Sequence, residues 1–251
     1  MTRLAHLTDM HLNGSRERHD RFKQGLDHAR RWRASHLVLT GDLTESGRPL
    51  QYSEVARAVA DAGWPPYAVT IIPGNHDGGP RDWQKALEGT LRQYAQTSRP
   101  GAVVDKGDVI IGAISTQIDQ SWPMARGKVD DAQLAMLKRL ATRSQFDPRP
   151  VIIAMHHPPI ASPMDSFDGL INRCDVLDAV NADNMHVLSG HDHRILDVGR
   201  VHTAGSVADH DDPLRVYDVI GRDLVNVYKS PNQGRYLAVM SDALPPIHQL
   251  G

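Results

Sequence analysis

Residues 69–77 read Val-Thr-Ile-Ile-Pro-Gly-Asn-His-Asp, an apolar run that ends in a turn followed by three polar side chains. A short apolar run bounded by Pro-Gly predicts a buried strand. The side chains that follow, on Asn75, His76 and Asp77, carry groups that bind metals or move protons. Because ligand sites gather at the carboxyl ends of strands in α/β sheets, residues 69–77 predict a functional strand end.

Four other apolar runs end in the same way. These runs are Leu4–Thr8, Leu37–Thr40, Val151–Met155 and His186–Ser189. They lead into Asp9-Met10-His11, Gly41-Asp42, His156-His157 and Gly190-His191-Asp192-His193. Two residues separated by one position point to the same side of an extended chain. Five strand ends that carry Asp, Asn and His therefore predict one convergent site.

The segments between these runs predict a mixed α/β chain. Helices are predicted over Glu17–Arg33, Pro49–Ala62, Arg81–Gln96 and Asp130–Thr142 from helical spacing, proline at the first turn or acidic residues at the first turn. After His193 the chain changes to a series of short strand-like runs, the last over Tyr236–Met240. The first part is therefore expected to alternate strands and helices, and the last part to be mostly β.

The composition excludes several classes of function. The 251 residues include 28 Lys and Arg against 30 Asp and Glu, for a net charge of −2. This balance argues against nucleic acid as a partner and against a polybasic membrane anchor. The one cysteine, Cys174, excludes an intramolecular disulfide, and no apolar run approaches the length of a membrane span. No signal-peptide pattern opens the sequence, so we expect a cytoplasmic protein.

The candidate ligands suit divalent cations. All of them offer oxygen or imidazole nitrogen, which fits Mn, Fe, Zn or Co better than a soft metal. Two divalent ions, the carboxylates of Asp9 and Asp42 and a bridging hydroxide would leave a charge of about +1. Such a charge is well matched to an anionic phosphate oxygen.

The five motifs together resemble the calcineurin-like metallophosphoesterase family, whose pattern is D-x-H, G-D, G-N-H-D/E, H and G-H-x-H in that order. The resemblance covers the chain from Asp9 to His193. Residues 126–129 and 133–137, with the run His156–Pro159, also resemble the bacterial cyclic-nucleotide and glycerophosphodiester phosphodiesterase branch. The resemblance implies a four-layer α/β/β/α sandwich with two mixed β-sheets, and we expect a single domain over residues 1–251.

The resemblance also implies two metal sites. One metal would be held by Asp9, His11, Asp42 and His193, and the second by Asp42, Asn75, His156 and His191. His156 is chosen over its neighbour because the family's ligand histidine stands two positions before a proline.

Roles beyond metal binding follow from the same resemblance. His76 would contact the phosphate or protonate the leaving oxygen, and Asp77 would orient the His76 ring through a hydrogen bond. His157 would lie behind the ligands or face the substrate. Asn172 is a further candidate for substrate contact, with a helix cap or a surface position as its alternative.

The function that the resemblance implies is hydrolysis of a small phosphodiester, a cyclic nucleotide or a glycerophosphodiester, by a hydroxide that bridges two metals. A phosphomonoesterase or nucleotide pyrophosphatase at the same site is one alternative. A catalytically silent binding protein is another, although its sequence signature would be a lost ligand and none is lost. The expected partner is a small phosphoester, without nucleic acid or membrane. A homodimer stays open because relatives in this branch dimerise.

Overall fold

Two mixed β-sheets lie at the centre of the computed structural model, which describes residues 1–78, 83–120, 125–161, 165–210 and 212–228. The strands of the first sheet are β1 (Arg3–Leu7), β2 (His36–Thr40), β3 (Val69–Ile72), β10 (Arg215–Ile220) and β11 (Asp223–Tyr228). They pair in the order β11-β10-β1-β2-β3. The strands β1, β2 and β3 are parallel, whereas β10 is antiparallel to both of its neighbours.

The second sheet has the same mixed character. Its strands are β4 (Val103–Asp105), β5 (Ile110–Ala113), β6 (Val151–Ala154), β7 (Met185–Ser189), β8 (Leu196–Val198) and β9 (Val201–Thr203). They pair in the order β4-β5-β6-β7-β9-β8, with parallel pairing from β5 to β9 and antiparallel strands at both edges. Because parallel strands end at one edge, the motif residues that follow β1, β2, β3, β6 and β7 are brought close together.

Helices cover the outer faces of both sheets. They are α1 (Arg16–Arg31), α2 (Pro49–Asp61), α3 (Trp83–Thr90), α4 (Ala95–Ser98), α5 (Asp131–Ser144), α6 (Asp165–Asp168) and α7 (Arg173–Ala179). Leu7 of β1 packs with Phe22 of α1 and Tyr52 of α2 on one face of the first sheet. Leu4 of the same strand faces the opposite side, and it lies with Ile152 of β6 in the core between the two sheets. The predicted four-layer α/β/β/α sandwich is therefore confirmed.

Close packing at Gly112 places α5 on the second sheet. A Cβ atom at Gly112 would lie 3.4 Å from Leu140 of α5 and 3.2 Å from Ile153 of β6. The helix begins where the Asp130 side chain accepts a hydrogen bond from the Gln133 amide at 2.8 Å. None of the described helices has the length and apolar character needed to cross a bilayer.

Two local predictions differ from the structure or fall outside it, and one short strand was missed. The helix predicted over Arg81–Gln96 is broken, since α3 ends at Thr90 and a 3₁₀ turn over Arg92–Tyr94 precedes α4. Gly89 and Thr90 are poor helix formers, which accounts for the break. The short edge strand β4 was not predicted from the sequence. The strand predicted over Tyr236–Met240 lies outside the described residues.

Candidate active site

The carboxylate of Asp42 lies at the centre of the convergent site. Its Oδ2 is 3.5 Å from Nε2 of His11, and its Oδ1 is 3.4 Å from Nε2 of His156. On the His11 side, four candidate ligand atoms lie within 4.8 Å of one another; they belong to Asp9, His11, Asp42 and His193. This first donor set contains two carboxylates and two imidazoles.

A second donor set lies on the other side of Asp42. Oδ1 of Asn75 is 3.0 Å from Nε2 of His156 and 3.0 Å from Nδ1 of His191. The structure thus brings all seven predicted ligands together in two adjacent sets that share Asp42. Their binding of metal stays a prediction.

The backbone is strained at the candidate ligands. Five of them have positive φ: Asp9 (54°), His11 (46°), Asp42 (46°), His191 (72°) and His193 (54°). Among the described residues, Arg33 is the one other non-glycine residue with positive φ. This conformation costs roughly 1–2 kcal/mol for an L-residue and tends to persist where a site requires it. The concentration of strain at the ligands supports a functional role for these strand ends.

A protein acceptor holds the second ring nitrogen of each of three candidate ligand histidines. These pairs are His156 Nδ1 with the Thr40 carbonyl (2.7 Å), His191 Nε2 with the Asp168 carbonyl (2.8 Å) and His193 Nδ1 with Asp209 Oδ2 (2.5 Å). Metal-binding histidines usually donate their other N–H in this way, which fixes the tautomer and the ring orientation. The free nitrogen of each ring consequently faces a donor set.

Burial and mutual repulsion govern the charges of the two carboxylates. Burial, with a smaller contribution from the charge of Asp42, raises the pKa of Asp9 to about 6 against the opposing charges of His156 and His193. Burial also raises the pKa of Asp42, but the charge and the hydrogen bond of His156 outweigh it and hold that pKa well below its usual range. Burial lowers the pKa of His11 to about 4, so its ring is neutral and able to bind metal at pH 7. Burial opposes the charged form of His156, but the charge and hydrogen bond of Asp42 raise its pKa to about 9. A metal bound by His156 would therefore displace a proton from that ring.

Gly41 allows β2 to end against the ring of His156. Its φ is +93°, and a Cβ atom there would lie 2.5 Å from His156 Nδ1. A larger residue would therefore displace the imidazole. Glycine therefore precedes Asp42 for a steric reason, since it has no Cβ atom and tolerates positive φ.

The His76 ring is held by Glu45. Nδ1 of His76 lies 3.2 Å from the Glu45 backbone carbonyl and 3.8 Å from Oε1 of its carboxylate. The ring is T-shaped against His11, with 4.6 Å between ring centroids. Its side chain is 41% exposed and lines the cavity above the donor sets. The ring is therefore positioned to reach a bound substrate.

The prediction that the His76 ring donates a hydrogen bond to Asp77 is wrong. Asp77 is fully buried and accepts bonds from the amides of Gly74 (2.8 Å), Leu43 (3.1 Å) and Thr44 (3.0 Å), and from the Thr44 hydroxyl (2.8 Å). Its carboxylate thus joins the loop after β2 to the turn after β3, while the His76 ring contacts Glu45 and His11. Burial, followed by the charge of Asp42, raises the pKa of Asp77 to about 7 against the opposing effect of these bonds.

For His157 and Asn172 the structure agrees with the alternatives to substrate contact, a place behind the ligands and the cap of a helix. His157 is fully buried, and its ring nitrogens contact the Thr116 hydroxyl (2.7 Å) and the Ala125 carbonyl (2.8 Å). The side-chain amide of Asn172 pairs with the backbone of Val129 through two hydrogen bonds, of 3.1 and 2.8 Å. Asn172 lines a separate cavity with Leu170 and Cys174. Both residues therefore support loops, and sequence position alone did not reveal their partners.

The cavity above the donor sets contains residues that the sequence analysis missed. It has a volume of ≈430 Å³, within the usual range for small-molecule sites, and its lining includes Arg18, Glu45, Arg194 and Asp209. Arg18 donates to the carbonyl of His11 at 2.6 Å and also contacts the Glu45 carboxylate. No spacing pattern marks Arg18 or Asp209. Glu45 lies three positions after Asp42. This proximity to a predicted ligand is the one local signal that could have indicated Glu45.

A family model described as calcineurin-like phosphoesterase matches residues 2–194. The chain belongs to the calcineurin-like phosphoesterase family. Its resemblance to that family, predicted from the five motifs, is confirmed.

Curated relatives of this metallophosphoesterase agree with the predicted branch. A cAMP/cGMP dual specificity phosphodiesterase of Mycobacterium tuberculosis is 29% identical over 180 residues, which are 64% of this chain and 51% of the relative. A "Probable cyclic nucleotide phosphodiesterase" of Rhodococcus erythropolis is 31% identical over 168 residues, 62% of this chain and 52% of the relative. The chain therefore spans about half the length of the curated relatives it matches.

Solved structures share the fold. A dimetal phosphatase from Danio rerio superposes with a TM-score of 0.66 at 15% identity, covering 91% of this chain and 99% of that one. A Thermus thermophilus protein superposes with a TM-score of 0.59 at 13% identity, covering 90% and 97%. At these identities the likeness supports the four-layer architecture of the metallophosphoesterase.

Proposed function

We propose that this metallophosphoesterase hydrolyses a small phosphodiester with the help of two divalent metal ions. The observation that carries the proposal is the position of Asp42, whose two carboxylate oxygens lie 3.5 Å from His11 Nε2 and 3.4 Å from His156 Nε2. One carboxylate between two sets of nitrogen and oxygen donors is the arrangement expected of a bridging ligand. Family membership adds independent support.

The donors fit two cations of intermediate softness. One ion would be held by Asp9, His11, Asp42 and His193, and the other by Asp42, Asn75, His156 and His191. Imidazole nitrogen with carboxylate and amide oxygen suits Mn, Fe, Zn or Co. When bound, such ions supply Lewis acidity at the phosphoryl group and lower the pKa of water.

His76 supplies the proton that the leaving oxygen requires. Its Nδ1–H donates to the Glu45 carbonyl at 3.2 Å, so the ring is fixed and Nε2 is left for the cavity. When the ring is protonated, the proton on Nε2 can be transferred to the departing alkoxide. An alkoxide is a poor leaving group unless it is protonated. Arg18 lines the same cavity and places a guanidinium group close to an anionic substrate.

The charge of the cavity lining favours a diester over a monoester. Apart from Asp42, its described lining has four carboxyl groups, from Glu45, Asp168, Asp192 and Asp209, against the guanidinium groups of Arg18 and Arg194. A phosphodiester carries one negative charge, whereas a phosphomonoester carries nearly two at neutral pH, so this lining repels the monoester more strongly. The names of the curated relatives support a cyclic nucleotide as the diester.

Hydrolysis by metal-stripped protein to which Mn²⁺ is added back tests this proposal. The substrates are bis(p-nitrophenyl) phosphate and p-nitrophenyl phosphate, compared by kcat/KM. We expect turnover that depends on Mn²⁺ and favours the diester, with cyclic nucleotides tested next. A preference for the monoester would indicate a phosphatase. No turnover of either substrate with two metals bound would indicate a demanding substrate pocket or a binding protein.

A further inference from the structure

We propose that Asp209 is a positioning residue that holds the ring of His193 in the geometry needed for metal binding. This inference rests on the proposed function, because it assigns a task to a residue behind one of the proposed ligands. Asp209 lies in the loop that follows β9, outside the five motifs. It was not among the residues that the sequence singled out.

The contact between the two side chains sets the direction of the His193 ring. Oδ2 of Asp209 lies 2.5 Å from Nδ1 of His193. On the opposite side of the ring, Nε2 lies 3.3 Å from Nε2 of His11 and 3.6 Å from Oδ1 of Asp9. An Nδ1–H that donates to Asp209 leaves the Nε2 lone pair directed at the first donor set.

Exposure explains why His193 needs such a partner. Its side chain is 36% exposed, whereas those of Asp9 and Asp42 are 0% and 2% exposed. Close packing restricts the side chains of the buried ligands, whereas a partly exposed imidazole retains rotamer freedom that a hydrogen bond can remove. The Asp209 side chain is 54% exposed, so the pair lies at the open side of the site. There the hydrogen bond restrains the His193 ring where few neighbouring side chains pack against it.

The loop that carries Asp209 is tied to the same strand end as the ligands. The Ser206 hydroxyl and the Ala208 amide both donate to the Asp9 carbonyl at 3.1 Å. The next residue, His210, donates from Nε2 to the His193 carbonyl at 3.1 Å. Asp209 therefore binds the ring of His193, and the next residue, His210, binds its backbone. The hydrogen bonds of Ser206 and Ala208 attach the same loop to Asp9.

Mn²⁺ titration of the metal-free protein tests the inference without relying on turnover. Removing a hydrogen-bond partner of a metal ligand typically weakens metal binding about 10–100-fold. We expect Asp209→Ala to weaken Mn²⁺ binding at one of the two sites by about that factor and to leave the other site unchanged. Asp209→Asn keeps an oxygen that accepts from Nδ1–H, so it should restore much of the lost affinity.

Asp212 offers a matched control on the same loop. Its Oδ1 lies 3.2 Å from Nδ1 of His28 on α1, and no contact joins its described side chain to a candidate ligand. We expect Asp212→Ala to bind Mn²⁺ as the wild type does. The thermal unfolding midpoint of each metal-free variant separates loss of a ligand partner from loss of folding.

Each outcome decides between the inference and the function on which it rests. Wild-type affinity in Asp209→Ala would overturn the role of Asp209 while leaving the dinuclear site intact. An equal loss in Asp212→Ala would also overturn it, because the effect would then come from the loop as a whole. A wild-type protein that binds no Mn²⁺ would overturn the proposed function and the inference together.

Discussion

Oδ1 of Asp42 lies 3.4 Å from Nε2 of His156, and this contact joins the two sheets. Asp42 follows β2 of the first sheet, and His156 follows β6 of the second. The ligands proposed for each metal therefore come from both sheets. Their geometry depends on how the sheets pack, which makes the site sensitive to substitutions behind the ligands as well as at the ligands.

Asp42→Asn should prevent loading of two metals, because it removes the charge shared by both donor sets. We expect kcat/KM for the diester to fall by more than the ~100-fold that losing a partner of a metal ligand can cost. Metal content per chain and diester hydrolysis measure the effect. Asp61→Asn, at an exposed position at the end of α2, is the control that should keep both. Normal metal content and turnover in Asp42→Asn would contradict the assignment.

His76→Ala should keep both metals and lose rate in proportion to the need for a proton. General acid catalysis typically contributes about 10²–10⁴-fold. The loss should be largest for diesters with poor leaving groups, and it is measured as the slope of log kcat/KM against leaving-group pKa. An equal loss for every leaving group would show that His76 stabilises charge and does not donate a proton.

Asp77→Ala should act on stability, because the carboxylate holds two loops and does not touch the His76 ring. It would leave the buried amides of Gly74, Leu43 and Thr44 without their acceptor, which should lower the free energy of unfolding by about 3–5 kcal/mol. Thr44→Val removes one of the donors to Asp77 and should cost about 1–2 kcal/mol. Urea unfolding of metal-free protein gives both values. Wild-type stability in Asp77→Ala, with an altered leaving-group dependence, would instead favour the role predicted from the sequence.

Gly41→Ala should disturb His156 through a steric contact. Its Cβ would lie 2.5 Å from His156 Nδ1, whereas a Cβ at Gly107, where φ is +89°, meets nothing within 4 Å. Both substitutions carry a backbone cost of roughly 1–2 kcal/mol, so Gly107→Ala serves as the matched control. We expect Mn²⁺ affinity and hydrolysis to fall in Gly41→Ala alone. Equal effects in the two variants would show that backbone strain is the whole cause.

His36 should make the protein less stable as the pH falls below neutrality. Burial lowers the pKa of His36 to about 3, and the charge of Lys106 adds to the shift. The unfolded chain, with an ordinary pKa near 6.5, therefore takes up the proton first, and stability falls as pH falls from about 6.5 towards 3. At pH 5 the loss should be about 2 kcal/mol.

His36→Gln tests this by removing the titrating ring. The glutamine retains a donor for the Thr70 hydroxyl, which lies 2.9 Å from His36 Nε2. Urea unfolding of metal-free wild type and variant at pH 7 and pH 5 should show a smaller pH dependence in the variant. The same pH dependence in both proteins would contradict the assignment to His36.

The sequence by itself determined the strands that carry the site and the residues at their ends. Apolar runs, turn residues and helical spacing are local signals, so β2 and β7 were predicted to within one residue of their observed bounds and Asp42 and His191 with their places after the strands. The four-layer sandwich followed from the family resemblance that these motifs carry. Nothing in the local pattern, however, distinguishes a polar side chain that faces the cavity from one that faces a loop.

Only the tertiary structure decided which partner each of these side chains takes. Asp77 accepts hydrogen bonds from the backbone of the neighbouring loop and none from the predicted partner, His76. Asp209, which lies in a loop beyond the motifs, contacts His193. Such contacts join residues from different strands and loops, and their distances follow from the packing of two sheets and their connections. A hydrogen bond needs its atoms within about 3 Å, and sequence order does not specify separations at that scale.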